Sequence, residues 1–292
     1  MASLRGFEER RLALVLSGGG ASGIVQVPFL EELIRRDINP DLIVGSSVGA
    51  VNGAFLAFHP NNIDGLADLW IELRNTRLWH RNILRITRNL LTKGTSVYSN
   101  RFLRELFEPH VTIDEIAAAE IPLYLVTTSL SNGHKRILSK GQLLSGVMAS
   151  IALPGLFPPV RFDGDWCVDG GLSSGLDLET AILQGATHTI AVDLGVHPSP
   201  YQPRGLVDLL ARSMEIAVQE RTKAEIDQFG SIVPTVIWRP GLRAESFGSF
   251  HDVNKLYGEA KELAPVMIDQ ALDPQGEWIP GIYEGVVPVA RV

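Results

Sequence analysis

A strand, a glycine-rich turn and a helix follow one another twice within the first 60 residues, and this pattern constrains the fold most. The apolar run 12–16 leads into a cluster of glycines and then into apolar residues at helical spacing. Residues 40–44 are predicted as a second strand, followed by a turn at 45–49 and a helix over 50–58. Such units are typical of α/β proteins with parallel strands. We therefore predict a three-layer α/β/α sandwich with a mainly parallel central sheet.

The rest of the chain continues the alternation of strands and helices. Strands are predicted at 122–129, 134–138, 187–194 and 232–238, a strand pair at 158–168, and helices at 142–151, 205–229 and 252–272. The stretch after Asp273 is rich in Pro and Gly, which predicts a surface tail. We find no repeat and no clear linker. We predict one catalytic domain over 1–292, with a motif-bearing core at about 10–195, a helical basic insertion at about 63–110 and C-terminal helices and tail at 205–292.

Composition excludes several classes of function. The single cysteine, Cys167, rules out an internal disulfide and a multi-cysteine metal cluster, and we expect neither a metal nor a cofactor. A formal net charge of −7 argues against a general nucleic-acid binder. Apolar runs fall short of the roughly 18–20 residues that span a bilayer, and Glu8 and Glu9 interrupt any signal peptide. These features favour a cytoplasmic protein whose membrane contact is peripheral.

The turn at 45–49 reads Gly-Ser-Ser-Val-Gly and places Ser47 at the centre of a G-x-S-x-G pattern. A serine between a strand and a helix in such a turn is exposed above the sheet in a strained conformation, as hydrolase nucleophiles are. Gly45 and Gly49 allow the sharp turn. An ordinary Gly/Ser turn that caps a helix is the alternative. The strand–turn–helix context favours the nucleophile, and Ser46 is then structural.

The earlier glycine loop has two interpretations. Gly18, Gly20 and Gly23 match the dinucleotide fingerprint, which requires an acidic residue at the end of the second strand. The serine turn occupies that place, so this interpretation is disfavoured. In the other interpretation, consecutive backbone N–H groups form an oxyanion hole for a tetrahedral intermediate. Both loops leave the carboxyl ends of their strands, so they are expected to share one crevice.

A serine nucleophile needs a base. Among the histidines, His251 alone lies downstream in a plausible loop, and an isolated loop histidine is usually a surface residue. Asp169 precedes Gly170 and Gly171, which would let its carboxylate approach another loop closely. Asp-Gly is also a common turn, and local sequence alone favours that simpler explanation.

The glycine loop, the serine turn and the later Asp-Gly-Gly motif, in this order, resemble the patatin-like phospholipase family. The family carries a Gly-Gly-Gly-x-x-Gly loop, a G-x-S-x-G serine and a later Asp-Gly-Gly or Asp-Gly-Ala, here at 18–23, 45–49 and 169–171. The residues that flank these motifs also match the family, including Pro-Asp-Leu-Ile-Val at 40–44 and the run 149–159. The similarity covers about 10–195 well.

The resemblance implies calcium-independent hydrolysis of lipid esters by a serine–aspartate pair without histidine. Carried onto this chain, Ser47 is the nucleophile and Asp169 the base. The oxyanion hole falls on the loop Gly18, Gly19 and Gly20, with the N–H groups of Gly19 and Gly20 as donors. The expected partner is a lipid or fatty acyl ester substrate.

Two departures from the family pattern concern the support of the site. Ser22 stands where the family usually has Arg or Lys, which puts efficiency or preference for charged substrates in question. After Asp-Gly-Gly the family usually has Asn and then Pro, whereas this chain reads Leu-Ser-Ser-Gly-Leu-Asp at 172–177. Neither departure removes the serine or the aspartate.

Residues 74–104 carry eight Lys or Arg residues and neither Asp nor Glu, interleaved with apolar residues. Such a segment suits an anionic membrane surface, and it equally suits a solvated cap helix packed on the sheet. The membrane interpretation places lipid contacts at Arg81, Arg85 and Arg88. Acyl hydrolysis is the leading function; an acyltransferase on the same fold and a non-catalytic lipid-binding or regulatory module are the alternatives.

Overall fold

The computed structural model of the protein describes residues 10–75, 96, 99–111, 113–195, 202, 205–244 and 250–285. Within these residues, nine strands form one sheet. They are β1 Leu12–Leu16, β2 Leu42–Ser46, β3 Leu123–Ser129, β4 Lys135–Leu138, β5 Val160–Phe162, β6 Asp165–Asp169, β7 His188–Val192, β8 Thr235–Arg239 and β9 Gly281–Glu284. The described α-helices are α1 Gln26–Arg35, α2 Val48–Phe58, α3 Asp64–Asn75, α4 Asn100–Phe107, α5 Leu143–Ser150, α6 Leu178–Leu183, α7 Leu206–Phe229 and α8 Val253–Gln270.

The central strands are parallel and run in the order β3-β2-β1-β7-β8-β9. The shorter strands β4, β5 and β6 pair antiparallel at the β3 end. The predicted mainly parallel sheet is therefore confirmed. Parallel strands place their carboxyl ends, and the loops that follow them, at one edge of the sheet.

Side chains of the central strands alternate between two cores. In β1, Leu12, Leu14 and Leu16 belong to a core that also contains residues of α1, α2, α5 and α8. Ala13 and Val15 belong to a second core with α6, and α7 packs against it through Ile226 and Phe229. Strands buried on both faces read as continuous apolar runs. The predicted three-layer α/β/α sandwich is thus confirmed.

The pairing of β3 explains how distant segments meet. Leu125 and Val126 pair with both β2 and β4, so these two strands flank opposite edges of β3. Thr127 and Thr128 pair with both β4 and β6, so β6 also lies opposite β4. The strands β2 and β6 therefore lie one after the other along the same edge of β3. The end of β2 therefore meets the end of β6.

The structure corrects the prediction for the region after Asp273. A strand, β9, pairs parallel with β8 there, from Val236↔Gly281 to Arg239↔Glu284. It is four residues long and alternates between half-buried and exposed positions, as a sheet edge permits. Gly281 is the first residue of this strand. The other Gly and Pro residues that indicated a tail lie on either side of it.

Candidate active site

Ser47 lies in the tight turn between β2 and α2. Its backbone adopts φ 54° and ψ −123°, a strained region for a residue with a side chain. A Cβ on Gly45 would lie 2.4 Å from the Gly49 carbonyl oxygen, and one on Gly49 would lie 2.2 Å from that of Leu16. Glycine is therefore required at both flanking positions, as the sequence pattern predicts.

Asp169 is the last residue of β6 and lies next to this turn. Ser47 Oγ donates a hydrogen bond of 2.7 Å to Asp169 Oδ2. The other carboxylate oxygen, Oδ1, accepts the Gly171 N–H at 2.8 Å. A Cβ on Gly170 would lie 2.3 Å from the carbonyl oxygen of Val126 on β3, so only glycine allows this approach. The structure thus brings together the serine and the aspartate that lie 122 positions apart.

The Ser47–Asp169 pair is buried, with exposed fractions of 4% and 3%. Burial raises the pKa of Asp169 to about 6, while the hydrogen bonds from Ser47 and Gly171 act to lower it. A carboxylate with a raised pKa is a stronger base than an exposed one. His251, the alternative base, is an exposed residue just before α8.

Further buried hydroxyl groups hold the pair in place. The Ser47 N–H donates to Ser150 Oγ at 3.0 Å, and Ser150 in turn donates to the Val126 carbonyl. Thr128 Oγ1 donates to the Asp169 carbonyl at 2.8 Å. Ser46 Oγ donates to the Ser174 carbonyl, which agrees with a structural role. Ser150 and Thr128 carry no local sequence signal, because their importance depends on where the strands pair.

The glycine loop lies beside Ser47. A Cβ on Gly18 would lie 3.1 Å from Ser47 Cβ, and the Gly18 N–H donates to the Gly175 carbonyl. Gly19 lies against Leu194, because a Cβ at this position would lie 2.8 Å from the Leu194 side chain. Gly20, with φ 56°, starts a 3₁₀ turn over Gly20–Val25. Gly18 therefore holds the loop next to Ser47, and Gly19 and Gly20 follow it along the loop.

A cavity of about 500 Å³ opens onto Ser47 and Asp169, which is within the range of sites for small molecules. The carboxyl ends of the central strands form its floor and α7 forms one side. Its apolar lining residues include Leu153, Leu194, Met214, Val218, Ile226 and Ile282. Such a lining suits an apolar chain next to a reactive ester.

The same cavity is also lined by charged residues, among them Asp193, Arg239 and Arg243. Arg239, at the end of β8, donates to Asp193 at 2.9 Å. Arg243 lies in the segment that follows and also lines the cavity. This segment is joined to the glycine loop, because the Ala244 N–H donates to Ser22 Oγ at 3.0 Å. Ser22, which stands where the family usually has a cation, is thus hydrogen-bonded to the segment that carries Arg243.

Some predictions fall outside the part of the chain that the structure describes. Arg81, Arg85 and Arg88, the proposed lipid contacts, are among them. Within the described residues, no group of three His, Cys, Asp or Glu side chains is arranged to hold a metal. The described helices include none with the length and apolar character needed to cross a bilayer.

The family model for patatin-like phospholipase matches residues 14–182. The chain is similar to lysophospholipase NTE1 of Scheffersomyces stipitis, with 33% identity over 63% of this chain and 12% of that protein. It is also similar to patatin-like phospholipase domain-containing protein 7 of Rattus norvegicus, with 31% identity over 63% of this chain and 14% of that protein. The chain thus spans about an eighth of the length of these curated relatives.

Among solved structures, the crystal structure of VipD from Legionella pneumophila is similar, with a TM-score of 0.43 and 14% sequence identity. That similarity covers 90% of this chain and 67% of VipD.

Proposed function

Because the chain belongs to the patatin-like phospholipase family, we propose that it hydrolyses fatty acyl esters of phospholipids or lysophospholipids, with Ser47 as nucleophile and Asp169 as base. The observation that carries this proposal is the 2.7 Å hydrogen bond from Ser47 Oγ to Asp169 Oδ2. It lies at the floor of a cavity whose lining includes several apolar side chains. A nucleophile in contact with its base is the geometry that covalent catalysis needs.

Acylation begins when Ser47 Oγ attacks the ester carbonyl carbon and its proton passes to Asp169 Oδ2. The carbonyl oxygen becomes negative, and the proposed donors that bind it are the backbone N–H groups of Gly19 and Gly20. Losing one such donor typically costs about 3–4 kcal/mol of transition-state stabilisation. The leaving alcohol takes the proton from Asp169 as the carbon–oxygen bond breaks.

Deacylation repeats these steps with water as nucleophile. Asp169 removes a proton from water, the hydroxide attacks the acyl group on Ser47, and Ser47 Oγ recovers the proton as the fatty acid leaves. The Gly171 N–H holds Asp169 Oδ1 throughout, so the other oxygen stays directed at Ser47. One base therefore serves both half-reactions, as microscopic reversibility requires.

The test is to incubate the purified chain with a lysophospholipid and identify the products. Hydrolysis predicts free fatty acid and a deacylated glycerophospho compound in equal amounts. An acyltransferase would instead pass the acyl group to added alcohol or lysolipid in preference to water. A non-catalytic lipid-binding module would release no product, and a fluorophosphonate would leave Ser47 unlabelled.

Replacing Arg243 by Gln should weaken recognition of a phosphate-bearing substrate. Arg239 and Arg243 both line the cavity, Arg239 in an ion pair with Asp193. A charge-assisted hydrogen bond contributes about 1.5–3 kcal/mol, so KM for a lysophospholipid should rise about tenfold to a hundredfold. KM for an uncharged short-chain ester should stay within about twofold. Arg161→Gln, an exposed residue on β5, is the matched control. An equal rise in KM for both substrates would exclude the role in phosphate binding.

A further inference from the structure

Helix α7 packs along the loop that carries Asp169. Arg221 Nε donates to the Ser173 carbonyl. A Cβ on Gly175 would lie 2.2 Å from Thr222 Oγ1 and 3.0 Å from Val218. Residues 218, 221, 222 and 225 are spaced so that they share one face of a helix. The stretch at 172–177, where the chain departs from the family's usual Asn and Pro, is therefore supported by this helix.

Glu225 belongs to the same face, and its exposed fraction is only 8%. Ser174 Oγ lies 2.8 Å and 2.6 Å from the two oxygens of the Glu225 carboxyl. The Ser174 carbonyl in turn accepts a hydrogen bond from Ser46 Oγ at 3.0 Å. A buried chain of contacts therefore leads from α7 through Ser174 to the residue before the nucleophile.

The charges around Glu225 are unevenly balanced. Lys135, on β4, is the cation of this cluster, and its Nζ lies 2.7 Å from both Asp177 and Glu179 at the start of α6. Asp177 is fully buried and also accepts hydrogen bonds from the Thr180 N–H and hydroxyl. Two carboxylates already share Lys135, which is partly exposed, so a negative charge on Glu225 would add a third acid to one cation.

We propose that Glu225 is a positioning residue, whose protonated carboxyl holds α7 against the aspartate loop and thereby keeps Asp169 aligned with Ser47. The effect on catalysis rests on the proposed function, whereas the support of the loop does not.

The protonation state follows from the surroundings of Glu225. Burial, together with the charge of Asp177, raises the pKa of Glu225 to about 8, while Ser174 and Lys135 oppose the rise. The protonated carboxyl can accept from Ser174 and donate to Asp177. Loss of the proton leaves two buried carboxylates side by side, a costly arrangement. We expect α7 to loosen from residues 173–175 as pH rises through about 8.

The experiment compares kcat/KM across pH 5 to 9.5, on a short-chain ester, for wild type, Glu225→Gln and Glu262→Gln. Glutamine keeps the same shape, accepts from Ser174 and donates to Asp177, but does not titrate. Wild type should lose activity above about pH 8. Glu225→Gln should stay level and exceed wild type about tenfold at pH 9, one unit above the pKa of Glu225. Glu262 is exposed on α8, so its variant should behave as wild type.

Hydrogen exchange of residues 170–175, corrected for the intrinsic effect of pH, tests the support of the loop separately. Protection in wild type should fall between pH 7 and 9, and Glu225→Gln should keep it. A Glu225→Gln profile that falls at the same pH as wild type, with the same loss of protection, would overturn the proposal. If wild type hydrolyses no ester, the proposed function fails, while the exchange result still decides whether Glu225 supports the loop.

Discussion

Replacing Ser47 by alanine should lower kcat for ester hydrolysis by about 10⁴-fold or more, because no acyl-enzyme can then form. Losses of this order follow removal of the nucleophile in serine hydrolases, and the residual rate comes from substrate binding and oxyanion stabilisation. KM should change little, since the hydroxyl contributes mainly to the transition state. The variant should fold, because Ser47 Oγ bonds only to Asp169 among the described residues and alanine keeps the same Cβ at the strained turn.

The measurement pairs steady-state kinetics with covalent labelling by a fluorophosphonate, followed by mapping of the labelled peptide. Wild type should be labelled at Ser47, and Ser47→Ala should not be labelled. Ser131→Ala, an exposed serine far along the chain, is the control for the loss of one hydroxyl. Labelling at Ser46, or activity retained in Ser47→Ala, would remove Ser47 from the role of nucleophile.

The fold could be predicted largely because its main signals are local. Parallel strands buried on both faces read as short apolar runs, and β1 and β2 are followed by glycine-rich turns. The strand β9 was missed for the opposite reason. It is short and half-exposed, and it forms because β8 presents an edge to pair with, which no pattern within residues 281–284 records.

The nucleophile turn could be predicted from sequence, whereas the partner of Ser47 could not be derived from local sequence. Asp-Gly-Gly at 169–171 reads as an ordinary turn. Asp169 becomes a base only because β6 follows β2 along one edge of β3, an arrangement fixed by long-range pairing. The same holds for Glu225, whose place on an amphipathic helix is visible while its burial against Ser174 is not. From sequence, only the resemblance to the family identifies Asp169 as the base.

The second large effect is expected from Asp169→Asn, which should lower kcat by about 10⁴-fold, the order seen when the aspartate of a catalytic triad is lost. Asparagine can still accept the Gly171 N–H with its oxygen. Its amide nitrogen then faces Ser47 Oγ and donates to it, so the polarity of the contact is reversed. The serine keeps its position but loses the group that removes its proton. His251→Ala is the matched control and should keep wild-type activity; the reverse outcome would assign the base to His251.

The pH profile of wild type follows from the same residue. Asp169 acts as a base only when ionised, and its pKa is about 6. Activity should therefore rise with pH through about 6 and level off near pH 7. Below about pH 5 the protonated carboxyl cannot accept the Ser47 proton. Measured kcat/KM with no rise between pH 5 and 7 would argue against Asp169 as the base.

The contribution of Asp169 to folding stability should fall as pH rises, whereas activity should increase. The folded pKa of Asp169 is raised from an ordinary value of 3.8 to about 6, so the folded state binds its proton more tightly than the unfolded chain does. The stability that this proton provides is present below about pH 4 and is lost as pH rises through about 6. At pH 7 the shift corresponds to about 3 kcal/mol against folding. Asp169→Asn carries no such charge, so its free energy of unfolding at pH 7 should exceed that of wild type, and the difference should shrink towards pH 4. Denaturant titrations at the two pH values measure this, and a variant destabilised at pH 7 would show that Asp169 serves the fold more than the reaction.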